Sequence, residues 1–159
     1  MSNLVTSLSL ASPLGPLTLT EQAGRIVSLS WGDAETQQAT PLLSRACDQL
    51  SDYFAGTRRA FDLPLTLLGT TFQRSVWQAM CAIPYGETRA YGDLAHDLSS
   101  SARAIGTACG RNPIPVIIPC HRVIGKSGAL TGYTGADGID TKQFLLTLEG
   151  RATQGKLAL

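Results

Sequence analysis

Of 159 residues only two are histidines, and one of them, His121, stands beside a cysteine in "IPCHRVIG", residues 118–125. A thiol next to an imidazole suggests a thiolate nucleophile with a base at hand. Adjacent residues in a regular helix or strand do not face each other, so a direct base-to-sulfur contact is hard to build from the dipeptide alone. Pro119 suits the first position of a helical turn, which sets Cys120 at the N-terminal end of that turn. Backbone N–H groups and the helix dipole there are expected to lower the thiol pKa, with His121 acting through a water. The other thiols, Cys47, Cys81 and Cys109, form no CxxC pair and read as free core-filling cysteines. Four cysteines and two histidines without familiar spacing argue against structural zinc. His96 reads as a surface residue.

These groups need elements to hold them. Residues 4–32 alternate short apolar runs with Ser and Thr around "SPLG" and "EQAG", which predicts three antiparallel strands. Residues 40–56 predict a helix with Leu42, Leu43, Ala46, Leu50, Tyr53 and Phe54 on one side and Gly56 as its stop. Pro64 makes residues 58–71 an extended connector. A Thr-capped helix follows, with Phe72, Val76, Met80 and Ile83 at helical spacing, ended by Pro84-Tyr85-Gly86. Two short helices, "YGDLAHDL" and "ARAIGTACG", flank three serines and suggest helix-turn-helix. The second carries the small residues Ala102, Ala104, Gly106, Thr107, Ala108 and Gly110, with Arg103 in its first turn. A glycine within a helix costs about 1 kcal/mol relative to alanine. Two of them point to close approach of another backbone, either inside the protein or from a nucleic-acid groove. Val116-Ile117-Ile118 predicts a short buried strand stopped by Pro119. The Gly-rich residues 127–138 predict a loop able to wrap a pocket. The last helix carries Phe144, Leu145 and Leu148 on its apolar side and ends at Glu149.

Composition bounds the function. Hydrophobic residues make up 43% of the chain, enough for a packed core. No apolar run approaches a membrane span, and the start lacks the basic and apolar regions of a secretory signal. The expected compartment is the cytoplasm. The net charge of +1 is unevenly divided. Residues 1–70 carry four Arg and six acids, whereas residues 71–159 carry nine Lys or Arg and six acids. The second half is therefore the one suited to a polyanion, although charge alone fits an ordinary solvated surface as well.

"SPLGPLTLT", "QLSDYFAGTRRAFDLPL", "GTTFQRSVWQAMCAIPYGETRAYGDLA", "ARAIGTACGRNPIPVIIPCHRVIG", "GALTGY" and "KQFLLTLEG" together resemble the O6-alkylguanine-DNA alkyltransferases over nearly the whole chain. The resemblance implies a ribonuclease H-like α/β domain over residues 1–70, a small antiparallel sheet plus helix. It packs on a mainly α winged helix-turn-helix domain over residues 71–159. It implies binding to the minor groove of double-stranded DNA containing O6-alkylguanine, rotation of the damaged base out of the stack, and irreversible transfer of the alkyl group to cysteine. Such a protein acts once, needs no cofactor or metal, has no membrane partner, and is expected to be a monomer that can cluster on DNA.

Carried over by position, the family's motifs make Cys120 the alkyl acceptor, His121 its activator through water, and Glu149 the carboxylate that orients His121. Asn112 braces the site, Arg103 fills the space of the flipped base, and Tyr91 crowds the target phosphate. Pro115, Tyr133, the N–H of Thr134, and the carbonyls of Cys120 and Val123 line the guanine pocket. The chain departs from many relatives in two places. "HDLSSSAR" is shorter and lacks the usual glycine, and "YTGADGIDTK" is longer. Two other readings compete: a non-catalytic recogniser of alkylated DNA, which the acceptor cysteine opposes, and a Cys–His hydrolase, which Cys–His adjacency opposes.

Overall fold

A computed structural model of the chain describes residues 4–125 and 138–150. Residues 1–68 and 69–159 form two compact units.

The first unit opens with three antiparallel strands in the order β1 (Val5–Leu10), β2 (Leu17–Gln22) and β3 (Arg25–Trp31). In β2, Leu17 and Leu19 are wholly buried, and Thr18 between them is buried too, its hydroxyl bonded to that of Ser9 across β1 and β2 and to the Gly32 carbonyl. Helix α1 (Pro41–Phe54) begins at Thr40, whose hydroxyl accepts from the Leu43 N–H, and buries Leu43, Ala46, Leu50 and Tyr53. Leu42 and Phe54, expected on this stripe, lie only half-buried at its borders. The connector is extended as its proline requires. Ile26 donates to the Pro64 carbonyl and accepts from Thr66, so residues 64–66 run parallel to the start of β3.

The second unit is mostly helical: α2 (Thr71–Cys81), α3 (Tyr91–Asp97), α4 (Ala102–Gly110) and α5 (Ile139–Leu148). Two parallel two-residue strands, β4 (Arg89–Ala90) and β5 (Val123–Ile124), join the approach to α3 with the segment after Cys120. α2 starts in a reciprocal cap. Gln73 N–H donates to the Thr70 hydroxyl at 3.0 Å and Thr70 N–H to the Gln73 side-chain Oε1 at 2.9 Å. Its buried face is Val76, Trp77 and Met80, and the Trp77 indole donates to the Ala108 carbonyl on α4. Phe72, expected in that face, is 37% exposed because it sits on the first turn, beyond the covered stripe. α5 likewise turns Thr141, Lys142, Leu145 and Leu146 inward, while Phe144 and Leu148 are half-buried, a rotation from the expected side.

Residues 116–118 are buried but do not form the expected strand. Asn112 closes them into a turn, donating from Nδ2 to the Ile118 carbonyl at 2.8 Å and accepting on Oδ1 from Ile114 N–H at 2.9 Å. Ile118 N–H returns to the Ile114 carbonyl, and Val116 takes a φ of 75°. β-branched side chains rarely occupy that region, so side-chain brace and burial override strand propensity here.

α3 and α4 make the helix-turn-helix pair. α3 ends in a Schellman turn. Ser100 N–H donates to the Ala95 carbonyl and Ser99 N–H to that of His96, which forces Ser99 to a φ of 55°. Ser99 does the work of the glycine that this connection lacks. Ser99→Gly is expected to raise stability by about 1 kcal/mol, because only glycine enters this conformation freely. For a chain of this size that corresponds to a Tm rise of roughly 2–4 °C in thermal unfolding. An unchanged or lower Tm would mean that the serine side chain compensates for the backbone.

Candidate functional site

Cys120 opens a single 3-10 turn, Cys120–Arg122, between the Asn112 loop and β5. Pro119 sits just before it with φ −80° and ψ 67°, an inverse γ-turn in which Cys120 N–H donates to the Ile118 carbonyl at 2.8 Å. That carbonyl also receives the Asn112 amide. The asparagine and the cysteine backbone are therefore tied to one atom. Val123 N–H returns to the Cys120 carbonyl, one of the expected pocket-wall groups.

The side chains of Cys120 and His121 are buried, and no hydrogen bond joins them. His121 instead places Nε2 at 2.7 Å from Glu149 Oε2, at the C-terminal end of α5. Arg122 grips the same carboxylate at two points, Nε to Oε1 at 2.8 Å and Nη2 to Oε2 at 2.9 Å. Its Nη1 donates to the Ile83 carbonyl, and its guanidinium lies 5.8 Å above the Tyr85 ring. Gly86 completes this wall. It turns with a φ of 85°, and a Cβ there would come within 3.3 Å of the Glu149 carbonyl oxygen.

The proton states follow. Burial alone would raise the Glu149 pKa, but hydrogen bonds from His121 and Arg122 outweigh it and hold the carboxyl well below the usual range. An ionised carboxylate only accepts, so the shared proton with His121 sits on Nε2 and Nδ1 carries a lone pair. Nδ1 is buried without a hydrogen bond among the described residues. Burial lowers the His121 pKa, Glu149 pulls it up, and the positive charges of Arg122 and Lys142 lower it further, leaving a net downward shift. His121 is a neutral base at neutral pH.

The thiol departs from expectation. Burial pushes Cys120 up to about 11, while the Asn112 amide, the charge of Lys142 and the Cys120 backbone N–H pull less strongly the other way. The expected lowering by a helix N-terminus fails because three residues of 3-10 helix align too few dipoles to offset desolvation. Cys109, behind it, is pushed by burial up to about 12 and contacts Met80 sulfur to sulfur at 3.5 Å.

Two residues at the site escape the sequence reading, Arg122 and Lys142. Lys142 is wholly buried, and its ammonium donates to the Tyr91 hydroxyl at 3.2 Å and acts electrostatically on Cys120. Its spacing with Leu145 and Glu149 on one helical face was the available signal. Arg122 carries no signal beyond adjacency to His121. Tyr91, expected at a phosphate, begins α3 with its ring buried and its hydroxyl on Lys142. Pro115 and Val123 are buried near the turn. Tyr133 and Thr134 lie outside the described residues.

Arg103 is exposed on α4 and lines an open depression of about 410 Å³ with Phe72, Gln73, Ser101, Ala104 and Thr107. At Gly106 an added methyl would meet no atom of the described residues within 4 Å. On this helix Ala102 and Thr107 are exposed, Ala104, Gly106 and Gly110 are half-buried, and Ala108 is buried against Trp77, whose indole bonds its carbonyl. No cluster of metal-binding side chains occurs among the described residues, and none of their helices is long and apolar enough to cross a membrane.

Comparison with known proteins gives two family matches. Residues 7–67 match the 6-O-methylguanine DNA methyltransferase ribonuclease-like domain and residues 71–151 the DNA binding domain of the same family. The constitutive methylated-DNA–protein-cysteine methyltransferase of Bacillus subtilis is 48% identical, covering 87% of this chain and 91% of that protein. The methylated-DNA–protein-cysteine methyltransferase of Methanosarcina acetivorans is 45% identical over 87% of this chain and 94% of its own length. The crystal structure of Mycobacterium tuberculosis OGT in complex with DNA superposes with a TM-score of 0.82 at 46% identity, covering 91% of this chain and 92% of that one.

The buried ion cluster sets a pH dependence of stability. Because the Glu149 pKa is lower folded than unfolded, the carboxylate contributes stability above the ordinary value of 4.5, and that contribution fades as pH falls below it. Glu149→Gln leaves Arg122 buried without its counter-charge and is expected to cost about 3–5 kcal/mol near neutral pH. Urea unfolding across a pH series should show the difference from wild type shrinking below 4.5. A difference constant with pH would mean the cluster contributes packing alone.

Proposed function

The chain belongs to the 6-O-methylguanine DNA methyltransferase family, and from that premise we propose that Cys120 is the cysteine that takes the alkyl group. The established part is the chemistry: direct-reversal DNA repair, in which an alkyl group leaves O6 of guanine and ends on a cysteine sulfur. The observation that carries the assignment to Cys120 is the buried relay beside it. His121, fixed at 2.7 Å from Glu149, keeps its Nδ1 lone pair for a proton.

The sulfur attacks the alkyl carbon and the carbon–O6 bond breaks. The electron pair stays on guanine, whose ring nitrogen takes a proton from solvent as the thiol proton passes to His121, so protons balance. The proton leaving Cys120 goes to His121 Nδ1 through a bridging water, since no direct hydrogen bond links the two side chains. That same lack of contact opposes the hydrolase reading. A thiol pushed up to about 11 is neutral in the free protein. It becomes a good nucleophile only as its proton is taken, and the thioether it forms ends the protein's activity.

Asn112 holds the loop that carries the thiol, through the carbonyl it shares with Cys120. Pro115, Val123, Tyr133 and Thr134 are the pocket wall in this reading, and the Thr134 N–H stabilises the developing charge on O6. The exposed Ala102, Arg103 and Thr107 of α4 support contact with the minor groove of duplex DNA, with Arg103 entering the stack to replace the extruded base. Tyr91 crowds the phosphate of that nucleotide and eases its rotation. The protein acts as a monomer, with residues 1–70 forming the ribonuclease-like domain and residues 71–159 the DNA-binding, acceptor domain.

Intact mass measured after incubation with duplex DNA containing O6-methylguanine is expected to rise by one methyl group, and not at all in Cys120→Ala. Cys47→Ala and Cys81→Ala should gain the methyl normally. A methylated Cys120→Ala protein would overturn the acceptor assignment. Arg103→Ala is expected to slow repair of duplex DNA by tenfold or more, roughly the cost of an unsupported flipped base. Its reaction with free O6-benzylguanine should be unchanged. Equal losses on both substrates would remove Arg103 from base extrusion.

A further inference from the structure

Arg122 is 7% exposed and is held on three sides. Two of its nitrogens reach the two oxygens of Glu149, a third reaches the Ile83 carbonyl, and Tyr85 covers its face. A guanidinium so anchored fixes the plane of the carboxylate it grips. The plane directs Oε2 at His121 Nε2. The fork also cancels the carboxylate's charge, so the imidazole faces a neutral ion pair rather than a lone anion.

We propose that Arg122 is a positioning residue for alkyl transfer. By orienting Glu149 and neutralising it, Arg122 keeps His121 an uncharged imidazole with its proton on Nε2 and its lone pair on Nδ1, ready for the proton of Cys120. The proposal rests on the reading of His121 as the base.

Among the described residues, few charged or titratable groups surround His121. From α5 come Glu149 and Lys142, and from its own turn Cys120 and Arg122. α2 also packs on this turn and contributes Cys81, whose thiol lies in the field of Arg122. Cys109 of α4 and Tyr91 of α3 act beside Lys142. Glu149 is the sole acid among these groups. Remove the positive charge that matches it, and the carboxylate 2.7 Å from Nε2 favours the imidazolium. The His121–Glu149 pair then holds one proton more at neutral pH, and Nδ1 carries a hydrogen where the base needs a lone pair.

The test is the titration of His121 by NMR of histidine-labelled protein, with the second histidine assigned through His96→Gln. In wild type the His121 ring should be neutral at neutral pH with its proton on Nε2. In Arg122→Met its titration should move to higher pH. Arg122→Lys, which keeps a charge but reaches one oxygen instead of two, should shift in the same direction by less and keep the fold. Single-turnover methyl transfer should follow. The Arg122→Met rate should fall roughly tenfold more at about pH 6.5 than at about pH 8.5, where the base is restored.

If His121 titrates in the variants where it does in wild type, and transfer falls equally at every pH, Arg122 is only structural and the proposal is overturned. Should Arg122→Met not fold, Arg122→Lys alone decides the matter by the same shift. A wild-type rate that climbs tenfold per pH unit through neutrality would instead remove His121 as base, overturning the reading beneath the proposal. The NMR comparison distinguishes the two failures, because it reads the ring whether or not Cys120 accepts the alkyl group.

Discussion

The ion pair between Arg122 and Glu149 is the constraint around which the second unit is organised. A carboxylate and a guanidinium removed from water cost several kcal/mol each unless nearly every polar atom is met. Both are met here. The two carboxylate oxygens take Arg122 Nε, Arg122 Nη2 and His121 Nε2, and the remaining guanidinium nitrogen takes the Ile83 carbonyl. The pair thereby ties together the end of α2, the turn that carries Cys120, and the end of α5. Gly86 and Tyr85 close around it, the tyrosine hydroxyl donating to the Leu148 carbonyl. Such a pair adds less to stability than its geometry suggests, and what it secures is a single arrangement of the groups it holds.

That arrangement suits a reaction in which the protein is consumed. A permanently ionised thiolate would be open to any electrophile, and its alkylation cannot be undone. Burial keeps the Cys120 thiol protonated, at about 11, and the same burial keeps His121 neutral. Under the proposed roles of Cys120 and His121, the nucleophile stays latent and its base stays uncharged. Asn112, Lys142 and the Cys120 backbone each favour the thiolate without securing it. Proton loss can therefore be coupled to the presence of an alkyl group to attack. Catalytic effort is spent on the transition state rather than on a standing anion.

Local signals were legible where they depend on a few neighbouring residues. Thr40, Thr70 and Ser101 cap helices that begin where side-chain hydroxyls can reach backbone N–H groups within one turn. The three strands of the first unit pair antiparallel as their short runs and turn residues predict, and Pro64 keeps the connector extended. The helix faces were read less well. Helical spacing places Phe72 of α2 and Phe144 of α5 on the apolar side, but partner elements cover a different side. Val116 shows the same limit for backbone. Three β-branched residues suggest a strand, yet Asn112 and the bond from Ile118 to Ile114 fold them into a turn with a left-handed residue.

For the site, the sequence by itself determined that Cys120 and His121 are adjacent, that Asn112 precedes them in a rigid loop, and that Glu149 ends a helix. These facts and the family motifs sufficed to name the chemistry. Only the tertiary structure decided which proton sits where. Arg122 and Lys142 acquire their roles from residues 27 and 51 positions away, Glu149 and Tyr91. The thiol rises rather than falls because burial outweighs a short turn. The reason is the reach of the forces. Hydrogen-bonded turns and side-chain periods act over three or four residues, and sequence spacing records them directly. Desolvation and charge act through space, and their sign is unknown until the chain has closed around them.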